Sequence, residues 1–346
     1  MVLICRIKDN RVFYNLLVII YKMEKEFAST VFSAIRKLKK EREAVILAHY
    51  YMPPELQILE KDGGIADFIG DSLGLSIEAT KVKAPNIIFC GVSFMAETAK
   101  ILNPDKNVLI PDKEAGCSLA SSITAADIRQ LKARYPGVPV IGYVNTFAET
   151  KAECDICCTS RNAVAIAKSF ESDTLIFVPD VYMGQNLQAK IERETGKKMI
   201  LWHGACEVHE QFSNTSLATM KQMYPDAEML LHWEVPKETV EESLQDHKGV
   251  LGSTNDILKY VGSSTSQKFI LASECDLGAT LRGMYPDRDF ITPCFKCPYM
   301  KKINMANTIA ALKSIGTGEQ TKYEIGLPPE IIKRAYMPIK RMLEFV

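Results

Sequence analysis

The sequence HGACEVHEQF, residues 203–212, follows directly on the apolar run KMILW at 198–202. A short, continuous apolar run of this kind predicts a buried strand. A Gly comes next, and after it a polar amphipathic segment begins, which predicts a turn into a helix. Cys206 therefore lies where a strand end leads into a predicted helix start.

Two other cysteines occupy the same local setting. Cys117 follows the apolar run VLIP at 108–111, and Cys297 follows FITP at 290–293. The separations are 89 residues (206 − 117) and 91 residues (297 − 206). Three cysteines at nearly equal intervals, each just past a strand, predict three copies of one structural unit that meet at a shared centre.

The bulk composition limits the classes of function. The chain has 346 residues, a formal net charge of +0, 47% hydrophobic residues and 24% charged residues, which is typical of a globular protein with ample core. A balanced charge gives no support for nucleic-acid binding. Ten cysteines in a chain of this length do not resemble a small disulfide scaffold. We expect a reduced, cytoplasmic setting in which some thiols are metal ligands and the others fill apolar space.

The first 22 residues differ from the rest. Residues 13–21 (FYNLLVIIY) are apolar, but they are about half of the roughly 20 residues that span a bilayer, so no membrane span is predicted. We expect residues 1–22 to be a dispensable extension ahead of a start at Met23; the alternative is an added edge strand.

The pattern of helices and strands repeats three times. Each unit begins with an amphipathic helix, continues with a buried strand that ends in polar residues, and then has a hydroxyl-rich turn, a second helix, a second strand, a third helix and a third strand before its cysteine. The first helices are predicted at 24–42, 123–135 and 213–224; the polar strand ends are HYY (49–51), YVN (143–145) and HWE (232–234); the turns are GDS (70–72), CTS (158–160) and GST (252–254).

This alternation predicts an α/β fold: three pseudo-symmetric α/β domains, each built on a parallel sheet, around one central site. The predicted units are 23–116, 117–205 and 206–297, and the helices of 298–346 are expected to complete the first. Ligands of open parallel sheets bind outside the carboxyl ends of the strands, where the cysteines, the polar strand ends and the hydroxyl turns would all lie.

Three converging thiolates fit a [4Fe–4S] cluster in which one iron lacks a protein ligand. A zinc site built from His203, Cys206 and His209 with Cys294-x-x-Cys297 is the alternative, and Cys294 with Cys297 could also form a redox pair. Cys154 is expected at the surface and the neighbouring Cys157 and Cys158 in the core. The remaining cysteines carry no motif and are expected to be core or incidental: Cys5, Cys90 and Cys275.

The turns and the histidines suggest the rest of a site. Ser and Thr at a helix start are explained by capping alone, but three such turns at matching repeat positions favour anion binding. His49 and His232 stand at matching strand ends, beside Tyr51 and Glu234, which favours an acid–base cluster.

Taken together, these residues resemble quinolinate synthase, an iron–sulfur enzyme of de novo NAD biosynthesis, from about Met23 to the C-terminus. The stretches that carry the resemblance are ILAHYY (46–51), IADFIGDSL (65–73), GVSFMAETAKILNPDK (91–106), YVNT (143–146), CCTSRNAV (157–164), HGACEVHEQF (203–212), HWE (232–234), GST (252–254) and CPYMKKIN (297–304). The resemblance implies three similar α/β domains around a [4Fe–4S] cluster. It also implies a transferase that condenses iminoaspartate with dihydroxyacetone phosphate, releases phosphate and two waters, and closes the ring of quinolinate.

The resemblance also implies roles for single residues. It assigns one [4Fe–4S] cluster per chain to three cysteine ligands, Cys117, Cys206 and Cys297, with the open iron acting as a Lewis acid for dehydration. It assigns proton transfer to Tyr51 and His49 and a general base to Glu234. The substrate carboxylates would be held by Ser72, Tyr143, Asn145 and Ser160. The phosphate-bearing substrate would lie near His209, His232, Ser253 and Thr254.

Two further hypotheses stay open at this point. Another hydro-lyase with an open-iron cluster would use the same residues, and a non-enzymatic iron–sulfur or zinc redox sensor would use the cysteines alone. Beyond the two substrates, the enzyme that supplies iminoaspartate is a candidate partner, whereas nucleic acid and membranes are not expected as partners.

Overall fold

Short apolar runs form the strands of the computed structural model, which describes residues 29–212, 214–245 and 247–345. The strand NIIFC at Asn86–Cys90 is buried at every position. Burial at every position is typical of parallel strands that are covered by helices on both faces. The predicted extension at 1–22 lies outside the described residues.

Three units follow one another along the chain. The first contains α1 (29–41), β1 (Ala44–His49), β2 (Phe68–Gly70), α2 (Ser72–Lys81), β3 (Asn86–Cys90), α3 (Ser93–Leu102) and β4 (Asn107–Leu109). The second contains α4 (Ala125–Arg134), β5 (Val140–Tyr143), α5 (Ala148–Lys151), β6 (Ile156–Cys158), α6 (Ala163–Ser169), β7 (Thr174–Val178), α7 (Val181–Thr195) and β8 (Lys198–Leu201). The third contains α8 (Asn214–Met223), β9 (Glu228–His232), α9 (Lys237–Gln245), β10 (Gly249–Gly252), α10 (Thr254–Ser263), β11 (Lys268–Ala272), α11 (Cys275–Met284) and β12 (Asp289–Ile291). Two helices complete the chain, α12 (Met305–Ser314) and α13 (Pro329–Leu343).

The three sheets share one topology. Their strand orders are β2-β1-β3-β4, β6-β5-β7-β8 and β10-β9-β11-β12, and every neighbouring pair is parallel. The prediction of an α/β fold with three repeated parallel sheets is confirmed.

This strand order determines where a ligand can bind. In each sheet the chain leaves the first strand toward one edge and later crosses to the other side of that strand. The crevice at such a switch point, outside the carboxyl ends of the two central strands, is the usual ligand site of open parallel sheets. The residues that follow β1 and β3, β5 and β7, and β9 and β11 therefore face the three crevices.

One strand in each unit was missing from the sequence prediction. The edge strands β2, β6 and β10 have only three or four residues each, and they come directly before the hydroxyl turns. Each pairs with one neighbour only. Segments this short carry too few residues for a periodic pattern, so sequence reasoning had read them as part of the connection into the turn.

The hydroxyl turns lead into helices in two different ways. Helices α2 and α10 begin at the predicted positions, capped by the side chains of Asp71 and Ser253. Helix α6 begins at Ala163, three residues later than the CTS turn predicted, because the Asn162 side chain accepts hydrogen bonds from the Thr159 backbone N–H and hydroxyl and closes a local turn there.

The two C-terminal helices pack on different parts of the molecule. Helix α12 packs on β3 of the first sheet. Helix α13 lies against α3 of the first unit and against α5 and β6 of the second, where the Asn162 amide donates to the Met342 carbonyl at 3.1 Å. The last helix therefore joins the first two units.

Within the described part of the chain, no helix is both long and apolar enough to cross a membrane.

Candidate active site and metal centre

A cavity opens at the carboxyl ends of the strands of all three sheets. Its polar lining and the three predicted ligand cysteines come from every unit. These lining residues are His49, Tyr51, Asp71, Ser72, Cys117, Tyr143, Asn145, Thr159, Ser160, Cys206, His209, His232, Glu234, Thr254, Glu274 and Cys297. The shared central site that the sequence predicted is thus formed by the strand ends of three similar sheets.

The three lining cysteines occupy equivalent loops. Each lies three residues before a short 3₁₀ turn, and these turns span Ala120–Ser122, His209–Gln211 and Met300–Lys302. In each loop the cysteine carbonyl accepts a hydrogen bond from the backbone N–H four residues later, at 3.0, 2.9 and 3.1 Å for Cys117, Cys206 and Cys297. The predicted helix start after each cysteine is therefore a single tight turn.

The same loops direct backbone N–H groups at sulfur. Cys117 Sγ accepts from the Ala120 N–H at 3.4 Å, and the backbone N–H groups two and three residues later act to lower the pKa values of Cys206 and Cys297 against the opposing effect of burial. Such bonds stabilise negative charge on sulfur. Three repeated loops with this arrangement suit thiolate ligands.

The three cysteines are also buried too deeply to be thiolates without a compensating positive charge. Burial, with the neighbouring Cys297 adding to the effect, raises the pKa of the Cys117 thiol to about 12. Burial likewise raises the pKa of Cys206 well above its ordinary value, with Glu234 and Cys117 adding to the effect. Three clustered sulfurs in such a place are thiolates only when a cation offsets their charge, as a bound metal centre does.

The other cysteines correct two predictions. Cys275, expected to be core or incidental, forms a disulfide with Cys294. That bond takes Cys294 out of the predicted zinc set and leaves Cys297 free. Cys154, expected at the surface, is 6% exposed, because its side chain packs under Gly142 of β5. Cys157 and Cys158 are buried as predicted.

The polar ends of β1 and β9 share a hydrogen-bond pattern. His49 Nδ1 accepts the Tyr51 backbone N–H at 3.1 Å, and His232 Nδ1 accepts the Glu234 N–H at 3.4 Å. An imidazole whose Nδ1 accepts a hydrogen bond is neutral and carries its proton on Nε2. Burial lowers the pKa of His49 to about 3 and that of His232 to about 4, with a neighbouring imidazole adding to each shift, so both rings stay neutral donors.

Glu234 bonds to side chains of two different units. It accepts from the Tyr143 hydroxyl at 2.6 Å, and its second oxygen lies 3.0 Å from His209 Nδ1. The rings of His209 and His232 stack beside it, with centroids 4.5 Å apart. Burial opposes the ionisation of Glu234, but His209 and the hydrogen bonds from His209 and Tyr143 outweigh that effect, so the pKa of the carboxyl lies below its ordinary value. Glu234 is thus a buried, ionised acceptor between two units.

Tyr51 reaches from the first unit into the third. Its hydroxyl lies 3.0 Å from Thr254 Oγ1 and 3.0 Å from Ser273 Oγ, and its ring packs edge-on against His49 with centroids 4.6 Å apart. Burial raises the pKa of Tyr51 well above its ordinary value, so the phenol is protonated.

The predicted anion-binding residues line the cavity with one exception. Ser72, Asn145, Ser160 and Thr254 all line it. Asn145 Oδ1 is buried without a hydrogen-bond partner in the described structure. The Ser253 hydroxyl instead donates to Asp256 at 2.7 Å as part of a capping box, so its side chain serves the start of α10.

Sequence reasoning missed the acidic residues at the ends of the crossing strands. Glu274 lines the cavity fully buried, and it accepts the Cys297 N–H at 3.2 Å. Asp180 occupies the equivalent position after β7, where burial, with Glu234 adding to the effect, raises its pKa well above the ordinary value. Sequence could have found them, because each lies two residues after a predicted strand, Glu274 after β11 and Asp180 after β7. The residues that follow those two strands were not considered.

A possible mononuclear metal set lies inside the same cavity. Single ligand atoms of Cys206, His209 and Glu234 lie within 4.8 Å of one another. Cys206 is also one of the three equivalent cysteines, so this set and a three-cysteine site exclude each other.

Comparisons with known proteins agree on one family. The family model described as "Quinolinate synthetase A protein" matches residues 33–344. The quinolinate synthase of Sinorhizobium fredii is 44% identical over 310 residues, which cover 90% of this chain and 81% of that protein. The quinolinate synthase of Caulobacter vibrioides is 42% identical over 326 residues, 93% of this chain and 83% of that protein. The quinolinate synthase of Xylella fastidiosa is 41% identical over 310 residues, 90% of this chain and 86% of that protein.

Proposed function

The chain belongs to the quinolinate synthase family, and from that premise we propose that it condenses iminoaspartate with dihydroxyacetone phosphate to form quinolinate, with release of phosphate and two waters. The proposal makes the chain a biosynthetic enzyme of the NAD pathway that acts in the cytoplasm. The observation that carries it is the cavity in which three cysteines, two phenols, three imidazoles and one ionised carboxylate meet.

We propose that Cys117, Cys206 and Cys297 hold one [4Fe–4S] cluster per chain. The donor set supports this, because three thiols from matching loops line one buried space. When bound, a cluster with one iron that lacks a protein ligand supplies Lewis-acid assistance to the loss of water. Zinc held by Cys206, His209 and Glu234 would leave the two other cysteines without a role.

The substrates bring two carboxylates and a phosphate into a cavity that no described Lys or Arg lines. Their charge must therefore be met by neutral donors and by helix N-termini. Tyr143, Asn145, Ser72 and Ser160 are proposed to hold the carboxylates. His209, His232 and Thr254 are proposed to face the phosphate-bearing partner, and Ser253 contributes through the N-terminus of α10 that it caps.

Proton transfer is proposed for Tyr51, His49 and Glu234. The Tyr51 phenol and the Nε2–H of His49 are neutral groups that can give a proton to a substrate oxygen. Glu234 is the ionised acceptor among the three, so it is the group that can take a proton from carbon or nitrogen. Burial of all three side chains excludes water from the imine, which is hydrolysed easily.

The test is quinolinate formation by the protein purified without oxygen and reconstituted with iron and sulfide. We expect product when iminoaspartate is supplied together with dihydroxyacetone phosphate, and none when either is omitted. Generating iminoaspartate in place with an aspartate-oxidising enzyme also tests whether that supplier is a partner, since a complex would raise the yield at equal flux. A full cluster without product would refute the proposed reaction, and zinc in place of iron would refute the cofactor.

A further inference from the structure

Lys301 has no counterpart in the other two cysteine loops. It lies four residues after Cys297, on the 3₁₀ turn Met300–Lys302. The residues at the same place in the other two loops are Ser121 and Glu210, and both are exposed. The Lys301 side chain, in contrast, is only 22% exposed. The third loop therefore sends a long polar side chain inward at a position where the other two loops face solvent.

Three acceptors surround Nζ of Lys301. It donates to the Tyr51 carbonyl at 2.6 Å, lies 3.2 Å from Glu274 Oε1, and also bonds Asp276 Oδ2. A lysine side chain has three hydrogens to donate and no acceptor, and a carbonyl oxygen can only accept. The direction of the bond to Tyr51 therefore follows from the two groups alone.

Glu274 connects Lys301 to the loop of a proposed metal ligand. Its Oε1 accepts the Cys297 backbone N–H at 3.2 Å, and its Oε2 accepts the Asp276 N–H at 2.7 Å. The side chain is 0% exposed and caps the first turn of α11, so it is held firmly in the third unit. One series of contacts thus runs from the Cys297 loop through Glu274 and Lys301 to the backbone of Tyr51 in the first unit.

The Tyr51 backbone is otherwise held by its own turn. Its N–H donates to His49 Nδ1 at 3.1 Å, and the Met52 N–H donates to the His49 carbonyl at 3.1 Å. Both contacts lie within the turn that follows β1, so they would move with it. At the other end of the residue, the phenol meets two hydroxyls of the third unit, which can rotate. The bond from Lys301 therefore fixes the Tyr51 backbone to a different part of the molecule and sets where the phenol lies.

We propose that Lys301 is a positioning residue for the reaction: it ties the Tyr51 backbone to the carboxylate that also holds the Cys297 loop, and so keeps the phenol in place relative to the metal centre. This inference rests on the proposed function, because it assumes that Tyr51 transfers a proton in quinolinate formation and that Cys297 is a metal ligand. Lys301 is not among the described residues that line the cavity, so its effect passes through Tyr51.

The first test is amide hydrogen exchange at Tyr51 and Met52 in iron-loaded protein, which reports the order of this turn without turnover. In Lys301→Met the two amides are expected to exchange about tenfold or more faster than in the wild type, because the turn loses its bond to the third unit.

The second test is steady-state kinetics of the wild type, Lys301→Met, Tyr51→Phe and the double variant Tyr51→Phe/Lys301→Met. We expect Lys301→Met to lower kcat roughly 10- to 100-fold while KM stays within about twofold, since a displaced acid–base group costs that much and substrate contacts are untouched. In the Tyr51→Phe background, Lys301→Met is expected to change the residual rate by less than about twofold, because two residues that act through one group are not additive.

Two further variants separate positioning from folding. Lys302→Met removes a lysine of the same turn that pairs with Glu114 at 2.8 Å on the surface, and it is expected to keep the exchange rates, kcat and KM. Lys301→Met leaves two carboxylates without their cation, which costs stability by itself. Asp276→Asn/Lys301→Met removes one carboxylate together with the cation, and we expect it to fold and to show the same faster exchange and lower kcat.

Each other outcome overturns the proposal. Wild-type exchange at Tyr51 and Met52 in the Lys301 variants, unchanged kcat, or a further loss in the Tyr51→Phe background would contradict an effect that passes through Tyr51. Failure of both Lys301 variants to fold, or a large loss of iron from both, would show that the lysine holds the fold or the ligand loop instead. A wild type that makes no quinolinate refutes the proposed function and the kinetic role with it. An active wild type with an equally active Lys301→Met refutes the role of Lys301 alone.

Discussion

Tyr51 is the single residue whose proposed role can be tested most directly. We predict that Tyr51→Phe keeps the iron content of the wild type, because the ring packing against His49 and the backbone contact of Lys301 survive. It should lower kcat by about 100-fold or more, since a positioned acid–base group contributes that much. Iron analysis and quinolinate assay on the same sample check both parts. A variant with more than half of the wild-type rate would rule out proton transfer by this phenol.

At the scale of single residues, the cavity lining includes every cysteine and histidine that the sequence assigned to it, but it omits one of the hydroxyl residues, Ser253. Cys206, His209 and His232 stood out because cysteine and histidine are uncommon and occurred at strand ends. Ser273 and Ser253 are indistinguishable in sequence from any capping or core serine. Only the fold separates them, because it brings Ser273 to Tyr51 across 222 residues and pairs Ser253 with Asp256 three residues away.

The segment HGACEVHEQF offers the most direct test at the scale of one element. A Cβ on Gly204 would meet Ser122 Oγ at 2.2 Å and the Pro179 carbonyl at 2.6 Å. This close approach presses the Cys206 loop against the loop that follows Cys117, where the Trp202 indole N–H also donates to the Ser122 carbonyl at 3.0 Å. The glycine thus sets the spacing of two cysteine loops.

We predict that Gly204→Ala lowers iron content by more than half, because the added methyl group must push the two loops apart. The Ser122 hydroxyl can rotate away but the Pro179 carbonyl is backbone and cannot, so a loss of about 1–3 kcal/mol in stability is expected as well. Iron analysis with thermal unfolding measures both. Gly283→Ala is the control, since nothing lies within 4 Å of a Cβ there. Full iron content in Gly204→Ala would show that the two loops adjust independently.

The disulfide loop gives a second prediction about an element. Cys294→Ser should keep most of the iron, because Cys297 is held by other contacts: its N–H donates to Glu274, and its carbonyl accepts the Lys301 N–H of the following turn. Iron analysis of Cys294→Ser beside Cys297→Ser checks this. Loss of iron in both variants alike would mean that the Cys275–Cys294 bond, and not the turn, positions the ligand.

Strands within longer apolar runs were predictable, even the three-residue strands β4 and β12, whereas the edge strands β2, β6 and β10 were not. The strands NIIFC and TLIFV and the helices that follow them lie within a few residues of the predicted positions. The edge strands β2, β6 and β10 escaped because three or four residues carry no period. They form because a neighbouring central strand offers a free edge, which is a property of the folded sheet and not of the segment.

The protein as a whole should lose stability in acid through His49. This imidazole is fully buried, and burial, followed by His232 and Lys301, lowers its pKa from 6.5 to about 3. Between those pH values the unfolded chain binds a proton that the native protein does not. The contribution of His49 is therefore complete above pH 6.5 and is lost as the pH falls, at about 1.4 kcal/mol per pH unit.

We predict that His49→Gln makes the free energy of unfolding fall less steeply between pH 6 and pH 5 than in the wild type. Denaturant titrations at the two pH values give the slopes. The control is His203→Gln, which removes an exposed imidazole and should keep the wild-type slope. Equal slopes in wild type and His49→Gln would contradict a neutral, buried His49.

The threefold plan of the molecule was the part of the architecture that sequence revealed most fully. Three cysteines at near-equal spacing predicted three units, and the three sheets share one strand order. Sequence could not show that α13 joins two units. The apolar face of a helix predicts that this face is buried, but it does not predict which surface it packs against. Nor could it show the disulfide, because no spacing rule links Cys275 to Cys294.

The central claim is that one cysteine from each of three equivalent loops holds a single [4Fe–4S] cluster. The most direct measurement is iron and sulfide per chain, after reconstitution without oxygen, in the wild type and in Cys117→Ser, Cys206→Ser and Cys297→Ser. The account predicts about four irons and four sulfides in the wild type and almost none in each variant. A variant that keeps the wild-type iron and sulfide, or a wild type that binds one zinc instead, would contradict it.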